Sequence, residues 1–125
     1  MQSCASEDKA MTDPALEAER SLLGALLICG RLDCVPPALR IDDFGDGRHR
    51  KIYRVMLSLE ADELPVDTVT VYSRLDGEFS EKTYLAFLLD NIPSPDEEGI
   101  RAYSRIVMEA SILRRATRPA VRVVG

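Results

Sequence analysis

The 125-residue sequence predicts an all-α fold, a compact bundle of five to six helices with a long helix at its C-terminal end. Three observations carry that prediction. Apolar residues recur at three- and four-residue spacing along most of the chain, as one face of a helix requires. No alternating pattern stands apart from the helical period as a half-buried strand would. Pro, Gly and Asp stand at the breaks between periodic segments, where stops and caps belong.

Residues 1–12 are small and polar and read as a disordered leader. The folded domain spans residues 13–118. Asp13 is a good N-cap and Pro14 suits the first helical position. Leu16, Leu22, Leu23, Leu26, Leu27 and Ile28 then follow a helical period, with Glu17 and Glu19 near the positive helix start and Gly30 as the stop. Leu32–Leu39 is a second, poorer helical piece broken by Pro36-Pro37. Residues 41–47 form a loop with Phe44 as its core anchor. Arg48–Glu60 is a helix with Ile52, Val55, Met56 and Leu59 on one face. Asp67 caps a short helix through Leu75, and Asp76-Gly77 turns the chain.

Ser80 caps a helix to about Asp90, with Tyr84, Leu85, Leu88 and Leu89 inside. Pro93 and Pro95 break it. The longest helix runs from Asp96 to Arg118. Its acids (Asp96, Glu97, Glu98) and its bases (Arg114, Arg115, Arg118) each sit at the end that the helix dipole favours. Pro119 ends it, leaving residues 119–125 as a tail or truncated linker.

Size and charge exclude several classes. One domain with a real core fits this length, and 46% hydrophobic with 30% charged residues is ordinary for a folded domain. Residues 1–109 carry 12 bases and 21 acids, a net of −9, which argues against a general nucleic-acid coat or a membrane-surface protein. The longest apolar run, Leu22–Gly30, is nine residues, about half of what a membrane span needs. The N-terminus lacks the apolar core of a signal peptide, and no hydrophobic segment precedes Cys4 as a lipoprotein anchor requires. Three irregularly spaced Cys suit a reducing, cytoplasmic compartment.

Chemistry-bearing motifs are sparse. Gly24–Gly30 is no phosphate loop, because Cys29 stands where the second Gly belongs and no Lys follows. Gly24 reads as a close-packing position. Cys29, Cys34 and His49 lack the spacing of a closed zinc site, so core packing is the better reading of Cys29. Asp42, Asp43 and Asp46 read as a solvated loop and helix cap. His49, the sole histidine, reads as a surface or helix-start residue. Arg114, Arg115 and Arg118 fit a basic helix end better than a phosphate site. Ile100, Tyr103, Val107 and Ala110 form a seam that is either core or partner-facing, widened by Ile106 and Leu113.

The order of specific residues goes further. Glu17-Ala18-Glu19 precedes Leu22-Leu23-Gly24-Ala25-Leu26-Leu27, followed by Asp42-Asp43-Phe44 and by His49-Arg50-Lys51-Ile52-Tyr53. Then come Pro65-Val66-Asp67-Thr68-Val69-Thr70-Val71, Tyr84-Leu85, and a helix from Tyr103 through Val107 to Arg114. In this order the blocks resemble the N-terminal domain of DnaB-type replicative helicases, over about four-fifths of the chain.

That resemblance implies a non-catalytic interaction domain of a replicative helicase, without cofactor or metal of its own. ATP and Mg²⁺ belong to the full-length family. It also implies the first half of a helical hairpin that builds dimers within a hexamer collar, and contact with primase or loader in the primosome. DNA is met only through the hexamer. Ile100, Tyr103, Val107, Ala110, Arg114 and Arg115 are the expected interaction residues. Pro119 and the short segment after it leave the second hairpin helix incomplete, so the chain is expected to be a fragment or a stand-alone relative. The alternative is a stand-alone helical protein that binds and regulates a helicase. A DNA-binding regulator is a third class, but its one candidate helix, with Arg48, Arg50 and Lys51, also carries Glu60.

Overall fold

The computed structural model describes residues 14–75, 82–90 and 95–124. Among them are five α-helices: α1 (Pro14–Cys29), α2 (Gly47–Ala61), α3 (Thr68–Leu75), α4 (Lys82–Leu88) and α5 (Glu97–Val124). A single 3₁₀ turn, Ile41–Asp43, stands between α1 and α2. The predicted leader, the Asp76-Gly77 turn, Ser80 and Pro93 lie outside the described residues.

The caps explain the boundaries. Gly30 takes φ +83, and its amide closes the last turn of α1 on the Leu26 carbonyl at 2.8 Å. That left-handed conformation suits a residue without Cβ. The Asp46 carboxylate accepts from the Arg48 amide at 2.8 Å and starts α2. Asp67 accepts from the Thr70 amide at 2.9 Å while the Thr70 hydroxyl accepts from the Asp67 amide at 3.0 Å, so each satisfies an otherwise orphaned donor of α3. Asp96 caps α5 through the Gly99 amide at 3.0 Å.

Two elements differ from the sequence expectation. Leu32–Leu39 is not helical but a pair of turns, closed by the Val35 amide on the Leu32 carbonyl and the Leu39 amide on the Pro36 carbonyl, both at 3.1 Å. Pro36 and Pro37 offer no amide donor, and each disfavours a helical residue before it. The last helix does not stop at Pro119 but runs through it to Val124. A proline removes one donor and crowds the carbonyl four residues back, which weakens a helix at a point without requiring it to end. At 28 residues, α5 spans about 42 Å.

The core is mostly aliphatic. Helix α1 lies along α5 and also packs on α2 and α4, while α3 bridges α2 and α4. Leu22, Leu23 and Leu26 of α1 are buried with Ile52, Tyr53 and Met56 of α2, Val71 of α3, Leu85 and Leu88 of α4, and Ile100 and Val107 of α5. Phe44 anchors the 41–47 segment, its ring 4.9 Å from that of Tyr53. Ile28 and Leu89, placed by periodicity on inward faces, are exposed at helix ends.

Candidate functional site

The most organised chemistry is a buried polar network around the loop that joins the 3₁₀ turn to α2. Glu19 lies mid-way along α1 on the face that carries Leu22, Leu23 and Leu26, and is only 1% exposed. A carboxylate so placed needs donors. Its Oε2 accepts from the Gly45 amide at 2.6 Å. Its Oε1 accepts from the Asp46 amide at 3.3 Å and pairs with His49 Nδ1 at 2.7 Å. Because a carboxylate only accepts, Nδ1 carries the proton. In the neutral ring Nε2 is then the acceptor for the Tyr84 hydroxyl of α4, its partner in the structure.

Arg48 lies over the Tyr84 ring, 4.1 Å from its centroid. Burial raises the Tyr84 hydroxyl above its ordinary pKa, against the opposing pull of Arg48. Burial also works to raise the Asp46 carboxyl, but hydrogen bonds from the Arg48 side chain and amide outweigh it and hold the group below its ordinary value.

A second cluster adjoins the first. The buried Asp43 carboxylate accepts from the Arg40 amide at 2.9 Å, the Ser111 hydroxyl at 2.8 Å and Arg115 Nη2 at 2.6 Å. The Asp43 carbonyl accepts from Arg114 Nη2 at 3.0 Å. Gly45 sits between the clusters, where a Cβ would meet both Arg114 Nη1 and Glu19 Oε2 at 3.3 Å. Its lack of a side chain lets the two groups approach the loop. Three helices, α1, α2 and α5, thus meet at one short segment, and α4 is linked to it through His49 and Glu19.

Two surfaces lie away from this network. On α5, Ile106, Ile112 and Leu113 are 42%, 59% and 68% exposed. Between α3 and α4, a groove of about 420 Å³ is lined by Thr68, Val69, Tyr72, Ser73, Leu85, Ala86 and Leu89. Among the described residues no group of three or more His, Cys, Asp or Glu side chains could hold a metal ion, and no helix is long and apolar enough to cross a membrane.

Residues 12–109 match the family model described as "DnaB-like helicase N terminal domain". The chain belongs to this family. It is 37% identical over 114 residues to "Replicative DNA helicase DnaC" of Bacillus subtilis (strain 168), covering 86% of this chain and 25% of that protein. It is 34% identical to "Replicative DNA helicase DnaB" of Geobacillus stearothermophilus, covering 87% of this chain and 25% of the other. The solved N-terminal domain of DnaB helicase from Mycobacterium tuberculosis superposes with a TM-score of 0.79 at 32% identity, over 90% of this chain and 81% of that one. The chain spans about a quarter of the length of these two helicases.

Within this DnaB N-terminal domain the expected interaction residues are dispersed. Ile100 and Val107 are fully buried in the domain's own core, mainly by α1. Tyr103 and Ala110 are half-buried. Of the two readings of the seam, core or partner-facing, Ile100 and Val107 take the first. Arg114 and Arg115 come together, but on Asp43.

Three further readings change. His49 does stand at a helix start but is fully buried, Asp43 is not solvated, and Glu19 is not merely a favourable charge near a helix start. The signal for each was positional. Glu19 falls three and four residues before Leu22 and Leu23, and His49 three and four before Ile52 and Tyr53, so both occupy inward-facing positions. Asp43 directly precedes the anchor Phe44. Of the other two loop acids, Asp46 caps α2 and Asp42 is exposed.

Proposed function

We propose that this chain is the non-catalytic N-terminal interaction domain of a replicative DNA helicase, associating with copies of itself in the hexamer collar and offering a surface to primase or a helicase loader in the cytoplasm. ATP and Mg²⁺ are handled by the remainder of the longer helicase, and DNA is engaged through the assembled hexamer. The observation that carries this reading is the outer face of α5. Ile106 and Leu113 lie seven residues apart, two helical turns along one face, and Ile112 flanks them. A second copy of the same helix supplies a self-complementary cover, as a two-fold interface requires.

Sedimentation velocity of the full chain over a concentration series tests the association. A concentration-dependent dimer is expected, and the paired substitutions Ile106→Glu and Leu113→Glu should return it to monomer, because each buries a carboxylate without a partner. A wild-type chain that stays monomeric at hundreds of micromolar would remove this face from the proposal. Binding to the source cell's purified primase and loader, measured by interferometry, tests the partner contact. No measurable binding to either would remove that contact from the proposal.

A further inference from the structure

We infer that the Asp43–Asp46 loop is a relay that couples the seating of α4 to the seating of the distal half of α5. The two helices share no extensive packing with one another. Yet a path of hydrogen bonds, completed by the loop backbone from Gly45 to Asp43, joins them. It runs from the Tyr84 hydroxyl of α4 through both nitrogens of His49 to Glu19, and from Glu19 to the Gly45 amide. One residue before Phe44, the same loop holds α5 through the Asp43 carbonyl on Arg114 and the Asp43 carboxylate on Ser111 and Arg115.

Three features make this segment transmit displacement instead of absorbing it. Phe44 is fully buried and fixes the loop to the core. Its carbonyl accepts from Arg50 Nη1 at 2.9 Å, which ties the loop to α2. At Gly45 no side chain intervenes, and Glu19 Oε2 and Arg114 Nη1 each stand 3.3 Å from where a Cβ would be, so both groups reach the same residue of the loop. Burial makes the response collective. Glu19, His49, Asp43 and Ser111 are buried, so when the partner of one of them leaves, that group is left with an unsatisfied donor or acceptor in a low-dielectric interior and its neighbours must rearrange with it. An event that withdraws Tyr84 from His49 therefore loosens the hold of Asp43 on Ser111, Arg114 and Arg115.

The relay is a property of the single domain and stands without the helicase-collar assignment. Only its use in assembly, in which a partner seated against α4 alters the α5 face, rests on that reading. The test is accordingly made on monomeric protein. Tyr84→Phe removes the hydroxyl and keeps the ring, and Ser111→Ala removes one donor to Asp43. The Tyr84 hydroxyl bonds His49 and the Ser111 hydroxyl bonds Asp43 and Arg115, and independent sites combine to within about twofold in the unfolding constant.

The relay predicts that in urea unfolding the double variant departs from the product of the single effects by about fivefold or more. It also predicts that Tyr84→Phe speeds native-state hydrogen exchange at amides 109–115 by about tenfold, without a matching change in α3. Leu88→Ala disturbs the apolar seating of α4 but spares the hydroxyl. It should lower global stability without singling out amides 109–115. Additive variants, with exchange in 109–115 unchanged by Tyr84→Phe, would overturn the relay. So would a Leu88→Ala exchange pattern identical to that of Tyr84→Phe, since the coupling would then run through α1.

Discussion

Around the 43–46 loop, helices meet through buried carboxylates whose oxygens are all engaged. At the α3–α4 corner they meet through Val71, Leu75, Leu85 and Leu88, beside an open groove where Val69 is 74% exposed. The first arrangement is directional. Each hydrogen bond of Glu19 and Asp43 has one geometry, so the loop and α5 have one position. The second is tolerant, because apolar contacts constrain volume more than angle. A domain built to present surfaces has use for both: a fixed frame for the long helix and a corner that tolerates substitution.

Replacing Glu19 should show the difference most strongly. Glu19→Ala strands the fully buried His49 ring inside the protein and releases the Gly45 amide, and a loss of about 3–5 kcal/mol is expected, as when one partner of a buried polar pair is removed. Urea denaturation measures it. A loss below about 1 kcal/mol would mean that solvent already reaches the loop, and the contrast between the two regions would vanish.

Leu26 of α1, fully buried, is the apolar reference for the same helix. Leu26→Ala should cost about 3 kcal/mol through lost burial and a residual cavity. If it proves near neutral in urea midpoint, α1 does not face the core as described.

Alkaline titration sharpens the comparison on the loop side. Burial, with Glu60 and Asp43 nearby, pushes the Tyr53 hydroxyl up to about 12 from an ordinary value of 10.0. The native state therefore favours the neutral phenol. Its contribution is complete below pH 10 and is lost as the pH rises through about 12, amounting to about 2–3 kcal/mol. Stability measured from pH 9 to 12 should fall over that window, and Tyr53→Phe should remove most of the slope. A wild-type slope that survives in Tyr53→Phe would assign it to other groups.

The smallest effect belongs to the groove. Val69→Ser should change stability by no more than about 0.5 kcal/mol, as exposed positions do. A loss above about 1 kcal/mol in the same urea assay would show that the α3–α4 corner is as tightly specified as the loop.

Most of the helical framework was legible because it depends on local chemistry. Asp46, Asp67 and Asp96 cap helices within three residues of themselves, Gly30 stops one, and Leu22–Leu26 or Ile52–Met56 declare an inward face by spacing alone. The polar site was not legible in the same way. Glu19 meets its partners 26 to 30 residues on, and Asp43 meets Ser111 and Arg115 about 70 residues on. Charged residues are usually solvated, so Glu19, Asp43 and His49 read as surface until tertiary contacts supply donors and acceptors for them. Pro119 erred in the opposite direction, since a local rule for stopping helices met a helix already propagated over more than twenty residues.

Cys34 is buried where the turn after α1 meets the start of α5. Burial, and then the Glu97 carboxylate that accepts a hydrogen bond from it, raise its thiol above the ordinary value. The thiolate is the reactive form, so this sulfur is shielded from electrophiles both by access and by protonation. Alkylation of Cys34 is thus expected to quicken when the turn parts from α5. Its labelling rate becomes a clock for that opening, readable by mass spectrometry at neutral pH without any substitution in the chain.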